Sequence, residues 1–230
     1  MMLQLFFLED IEHPELTGDN AHHADRVLRM SVGEELIVSD GRGNWAKCSI
    51  TSITKKNVEL NILDTGVETP SPVQISVLQA IPKSDRAKET VELLTASGVS
   101  KIYPWQAQRA IGKECEKWEV AAIEASKQSR RFHIPEVSPK LDTDSAIRLF
   151  EQYDQILICH ESASSQISDV VKPATKTLIV IGPEGGITEE ELKVFEQAGA
   201  KIIKLGRPVL RSAHAGIAAV SAVSALMKVW

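Results

Sequence analysis

The sequence predicts an α/β domain preceded by a small β-rich module, and three observations carry that prediction. The apolar runs VQISVLQAI, VSKIYPW, DQILICH, TLIVIG and AKIIKLG recur through residues 71–230, separated by helical patterns at 85–97, 113–131, 143–152, 189–198 and 213–229. Their apolar residues are continuous rather than alternating, as in strands buried on both faces of a parallel sheet. Residues 1–70 read differently: LQLFFL, EELIVSD, WAKCSITSI and VELNIL are short strands, Asp40-Gly41-Arg42-Gly43-Asn44 is a hairpin turn, and 21–30 is one helix. Between the two, GVETPSP at 66–72 carries two prolines and no apolar periodicity, which places a domain boundary there, with domains 1–70 and 71–230.

Composition narrows the functional classes. With 43% hydrophobic and 25% charged residues in 230, the chain is neither disordered, collagenous nor a coiled coil. The net charge of -5 gives no global attraction to nucleic acid or to an anionic membrane, so such binding must come from a local patch. The acid is concentrated in residues 1–70, with 6 basic and 12 acidic side chains, against 20 and 19 in residues 71–230. The densest basic strip, Lys127-Gln128-Ser129-Arg130-Arg131-Phe132-His133, ends a helix. It reads either as C-capping by cations against the helix dipole or as a phosphate-contacting patch beside an aromatic ring.

Cys48, Cys115 and Cys159 are scattered and odd in number, which indicates neither a disulfide framework nor a metal site and fits a reducing cytoplasm. The opening MMLQLFFLEDIEHPE lacks the basic flank and cleavage site of a signal peptide, and no stretch approaches the roughly 20 apolar residues of a membrane span.

Ligands of open parallel sheets bind beyond the carboxyl ends of the strands, so the strand-to-helix turns are the candidate sites. Three stand out: Cys159-His160-Glu161-Ser162-Ala163, Ile181-Gly182-Pro183-Glu184-Gly185-Gly186-Ile187-Thr188, and Leu205-Gly206-Arg207-Pro208-Val209-Leu210-Arg211-Ser212. The second matches neither GxxxxGK[ST] nor GxGxxG. Its helix opens with Thr188-Glu189-Glu190-Glu191, a capping box that occupies the N–H groups a phosphate would need. With Glu184, these carboxylates favour a neutral or cationic ligand. Arg211 falls at a helix start, where its charge opposes the dipole; this reads as function or as a structural pairing with Glu184 or Glu161. No GxSxG elbow surrounds Ser162, Ser164 or Ser165, so a hydrolase triad is not indicated.

At HHADRVLRMSVGEELIVSDGRG, QAIPKSDRAKETVELLTASGVSKIYPWQAQRA, EASKQSRRFHIPEV, ICHESA, IGPEGGITEEEL and LGRPVLRSAHAG, the chain resembles the RsmE-type 16S rRNA (uracil-N3) methyltransferases of the SPOUT superfamily. The resemblance covers nearly the whole length and implies a PUA-like, RNA-binding first domain and a SPOUT-type parallel-sheet domain with a C-terminal trefoil knot. It further implies S-adenosyl-L-methionine as methyl donor, 16S rRNA or the 30S subunit as substrate, and a homodimer, with no metal and no membrane. The cofactor loops it implies are His160, Glu161, Ile181, Gly182, Pro183, Glu184, Gly185 and Gly186, then Leu205, Gly206, Val209, Leu210 and Arg211. Two departures stand in the last loop: Arg207-Pro208 where many members read Pro-Arg, and Ser212-Ala213-His214 where many read Thr-Glu-Thr.

Methylating N3 requires its proton to leave and the resulting charge on the uracil oxygens to be stabilised. Arg211 is the expected stabiliser, and Glu184, His160 and His214, in that order, are the candidate bases. RNA contacts are expected from Arg26, Arg29, Lys83, Arg86, Lys127, Arg130 and Arg131, with Arg26 and Arg29 facing the same way on the first-domain helix. Two other readings stay open: a 2′-O-ribose methyltransferase of the same superfamily and a non-catalytic rRNA-binding assembly factor.

Overall fold

The structure, a computed structural model, describes residues 3–54 and 56–230, with backbone only at 84 and 85. The first two residues of the opening apolar stretch therefore lie outside the described residues. Contacts between Cα atoms divide the chain into two compact units, 1–70 with 126–134, and 71–125 with 135–230.

The first unit is a five-stranded sheet built from β1 (Gln4–Phe7), β2 (Glu15–Thr17), β3 (Glu35–Ser39), β4 (Asn44–Ile53) and β5 (Asn57–Val67), in the order β1-β3-β4-β5-β2. Only β1 with β3 is parallel among these pairs. Along β4 the period of two is plain, with Ala46, Cys48 and Ile50 in a core with Phe6, Leu36, Val38 and Val58. Asp40 closes the β3–β4 turn by accepting from the N–H groups of Arg42 at 2.7 Å and Asn44 at 3.1 Å.

The helix expected over 21–30 starts and stops earlier. It comprises α1 (Gly18–His22) and a π-helical turn at His23–Val27, and the chain then leaves the helix. Arg29 adopts φ 54° and the Met30 N–H closes back on the Ala24 carbonyl. A left-handed residue ends a helix by satisfying its last carbonyls, so Arg26 and Arg29 do not share a helical face.

The second unit contains β6 (Gln74–Ala80), α2 (Ser84–Ala96), β7 (Lys101–Trp105), most of α3 (Trp118–Ser129), β8 (Glu136–Val137) and α4 (Thr143–Leu149). It continues through β9 (Gln155–Cys159), α5 (Ile167–Val170), β10 (Lys176–Ile181), α6 (Glu189–Gln197), β11 (Lys201–Ile203) and α7 (Ser212–Leu226). Its six strands are ordered β11-β9-β10-β6-β7-β8 and every pairing is parallel. The continuous apolar strands feed two cores, because alternate residues point to opposite faces. Ile75, Val77, Ile179 and Ile181 pack with Val91 and Leu94 of α2 and Val220 and Val223 of α7. Leu78, Ala80, Leu178 and Val180 pack on the other face with Ala146, Phe150 and Phe195. The elements β2, β8 and α5 have two to four residues each, too few for a readable period.

The basic strip that the sequence reading assigned to the second domain clusters with the first unit. Phe132 stacks on Trp45 with ring centroids 5.9 Å apart, its carbonyl accepts from Gly43, and the Ile134 N–H donates to Gly41. The three added cations, Lys127, Arg130 and Arg131, halve the excess of six acids that residues 1–70 carry.

Before β10, Asp154 Oδ2 accepts from the Thr175 hydroxyl at 2.7 Å and from the N–H groups of Lys176 at 2.8 Å and Thr175 at 2.9 Å. These bonds, the hydroxyl first, hold its carboxyl below the usual carboxylate range. Because the folded pKa is depressed, the stabilisation is present above the unfolded value of about 3.9 and is lost as pH falls through the folded one. Asp154→Ala is therefore expected to melt lower than the parent at pH 7, with the gap closing in acid when thermal unfolding is followed across pH.

Candidate active site

Strand register brings the three candidate turns together. Ile181 at the end of β10 pairs with Gln79 of β6 and with Cys159 of β9, and Cys159 pairs with Ile203 of β11. The segments that follow these residues line one cavity of about 900 Å³. Its walls are His160, Glu161 and Ser162 after β9, Ile181 to Ile187 at β10, and Lys204 to Ser212 after β11, so every residue expected at the cofactor loops meets there. Burial pushes the thiol of Cys159, which also lines the cavity, up to about 12, so it is held as the neutral thiol near pH 7.

The glycine-rich turn closes through the Gly186 N–H, which donates to the Pro183 carbonyl at 2.9 Å, with Gly186 in the left-handed region at φ 76°. Below it, Ser212 Oγ donates to the Gly182 carbonyl at 2.7 Å and accepts from Nε2 of the buried Gln79 at 3.1 Å. One hydroxyl thus ties the start of α7 to the ends of β10 and β6. Ser212, one of the departures from the family pattern, retains the hydroxyl that this contact uses.

The capping box is formed as the sequence predicts. The Thr188 hydroxyl accepts from Glu191 N–H, and Glu191 Oε2 accepts from Thr188 N–H at 3.0 Å. The other carboxylate oxygen of the buried Glu191 accepts from Gln108 N–H at 2.8 Å and the Thr143 hydroxyl at 3.2 Å, a link from α6 to the loop after β7 and to the start of α4 that the sequence did not reveal.

The candidate catalytic groups separate. Glu184 lies exposed in the cavity wall, and Arg211 is the N-cap of α7, where its carbonyl accepts from His214 and Ala215. Among the described residues neither side chain makes a hydrogen bond or ion pair, so Arg211 is not paired with Glu184 or Glu161. His160 also lines the cavity, but its Nδ1 receives the Ser162 N–H at 3.3 Å, which assigns the neutral ring's proton to Nε2. His214 is outside the cavity lining: the first turn of α7 aims it at α2, with Nε2 3.3 Å from Glu89 Oε1. Arg109, to which the sequence reading gave no role, enters the lining from the loop after β7 and donates to the Gly185 carbonyl at 3.2 Å.

The expected RNA contacts divide between the two units. Arg26 is exposed and paired with Asp25 at 3.0 Å, Arg29 and Lys83 are exposed, and Arg86 pairs with Glu89 at 2.9 Å. Lys127, Arg130 and Arg131 are half-buried rather than open. Burial lowers Arg131 to about 10, against the opposing effect of Glu68. Arg130 occupies the left-handed cap of α3 at φ 55°, with Arg131 N–H donating to the Ser126 carbonyl, so a backbone cap ends the helix there. The described residues contain no cluster able to hold a metal and no helix long and apolar enough to cross a membrane.

Residues 69–224 match the family described as RNA methyltransferase domain, and residues 16–63 match the RNA methyltransferase PUA domain. Fold, cavity and matches define the class, an RNA methyltransferase domain carried with a PUA domain. The chain is 32% identical over 247 residues to ribosomal RNA small subunit methyltransferase E of Mycobacterium bovis, covering 100% of this chain and 94% of the relative. The Bacillus subtilis protein of that name is 28% identical over 234 residues, 94% of this chain and 91% of its own. A solved structure of the Neisseria gonorrhoeae enzyme of that name, bound to S-adenosyl methionine, aligns with a TM-score of 0.89 at 28% identity over 98% of each chain. The chain belongs to the family of ribosomal RNA small subunit methyltransferase E. The resemblance read from the motifs is borne out for the family, the α/β class and the PUA-like first domain.

Truncating Glu191 removes a cap and strands donors of two loops. Glu191→Ala is expected to cost about 2–4 kcal/mol of stability by chemical denaturation.

Proposed function

We propose that this chain transfers the methyl group of S-adenosyl-L-methionine to N3 of a uridine in small-subunit (16S) ribosomal RNA. The observation that carries the reading is the single cavity formed by the three turns, in a chain of this family. Its chemistry suits the cofactor. Glu161 and Arg207 offer charges of both signs without side-chain partners among the described residues, as a zwitterionic ligand requires. The helix start that would receive a phosphate is filled by Glu191.

The cofactor supplies an electrophilic methyl group on a sulfonium. Around it, the backbone groups of Ile181 to Gly186 and of Leu205 to Leu210 form the holding surface, and Ser212 fixes the spacing between those loops. Glu184 is the base for the N3 proton, since the proton assignment leaves His160 Nε2 a donor and His214 faces away. Arg211 stabilises the anion that spreads over the uracil oxygens.

The same reading includes the trefoil knot and a homodimer. Val209 and Leu210, 73% and 41% exposed beside the cavity, with Leu226 at 45% and Trp230 at 68%, supply apolar surface for a second copy. We place the protein in the cytoplasm, where its three cysteines, all free thiols, persist reduced.

Mass spectrometry of rRNA from cells lacking and regaining this protein should show N3-methyluridine lost and restored. Arg211→Ala should lose about 10²–10³-fold in turnover with cofactor affinity by calorimetry largely kept; unchanged turnover would remove the assignment. Arg130→Gly deletes a charge while suiting the left-handed cap, so the melting temperature should hold or rise while RNA affinity weakens and its salt dependence flattens.

A further inference from the structure

We infer that Arg109 is a second catalytic arginine, donating to one uracil oxygen while Arg211 serves the other. This rests on the N3 reading above and deepens it. Removing the N3 proton leaves a charge shared between O2 and O4, one on each side of the nucleophilic nitrogen. A single guanidinium leaves half of that charge unserved.

The placement of Arg109 fits the second position. It enters the cavity lining from the loop after β7, whereas Arg211 enters it from the N-cap of α7, and the glycine turn after β10 shares the same lining. Its bond to the Gly185 carbonyl uses one of the five N–H donors of a guanidinium and leaves four. Gly185 lets the arginine lie this close: a Cβ there would stand 3.2 Å from Arg109 Cβ and 3.4 Å from its carbonyl oxygen. The anchor is a carbonyl, not a carboxylate, so the charge is held in place without being neutralised. No other side-chain bond or ion pair engages this guanidinium among the described residues, although Glu161, Glu184 and Glu189 share the cavity. An arginine serving structure alone would be expected to neutralise itself on one of them.

In the step assigned to the site, the N3 proton passes by way of Glu184 to solvent, and the freed electron pair then forms the N–C bond. The C–S pair returns to sulfur, leaving a neutral thioether. Arg109 and Arg211 stabilise the imidate before its charge is consumed.

The test is single-turnover methylation of unmodified 30S particles at saturating cofactor across pH, for the parent, Arg109→Ala and Arg109→Lys, with cofactor affinity by calorimetry and melting temperature alongside. Arg109→Ala should keep its melting temperature and bind cofactor within a few-fold of the parent, yet react about 10²-fold more slowly. Its rising pH limb should move upward, one pH unit for each tenfold of lost anion stabilisation, and Arg109→Lys should recover part of the rate. A parental rate in Arg109→Ala, or a defect confined to cofactor affinity with a parental pH profile, overturns the role and leaves Arg109 a support of the glycine turn. If the parent itself forms no N3-methyluridine, the reading beneath falls and takes this role with it.

Discussion

Parallel register at the ends of β9, β10 and β11 is the constraint on which the site depends. Because Cys159 stands level with both Ile181 and Ile203, three chain segments remote in sequence leave the sheet at one height and share one volume. A slip of one residue in β10 would turn Ile181 to the opposite core and carry the glycine turn out of line. The two cores that clamp alternate residues of β10 therefore set the site as much as they set stability. The Ser212 hydroxyl extends this fixed geometry from the strands to α7.

Around that frame, polar groups are divided by role. Both carboxylate oxygens of Glu191, and Oδ2 of Asp154, are filled by hydrogen bonds and join separate chain segments. Glu184 and Arg211 have none filled and face the cavity. Arg109 stands between these conditions, anchored by one bond with donors to spare.

In the second unit β6, β10 and α7 were legible because burial imposes its period over many residues, and they fall within three residues of their sequence-based bounds, whereas β5 runs four residues past its expected end and α3 starts five residues late. The capping box was legible because both partners lie within one turn. Contacts between distant loops leave no local pattern, which is why the reach of Glu191 to Gln108 and the approach of Arg109 to Gly185 were not. The helix at 21–30 was misread for another reason. Arginine has no evident preference for the left-handed region, so the stops at Arg29 and Arg130 carry no sequence signal of the kind a glycine provides.

The capped start of α6 also bears on what the cavity admits. The Glu191 carboxylate accepts from the Thr188 N–H at the head of that helix, and Glu189, which shares the cavity lining, adds negative charge there. A polyanionic ligand meets repulsion where a bare helix start would attract one.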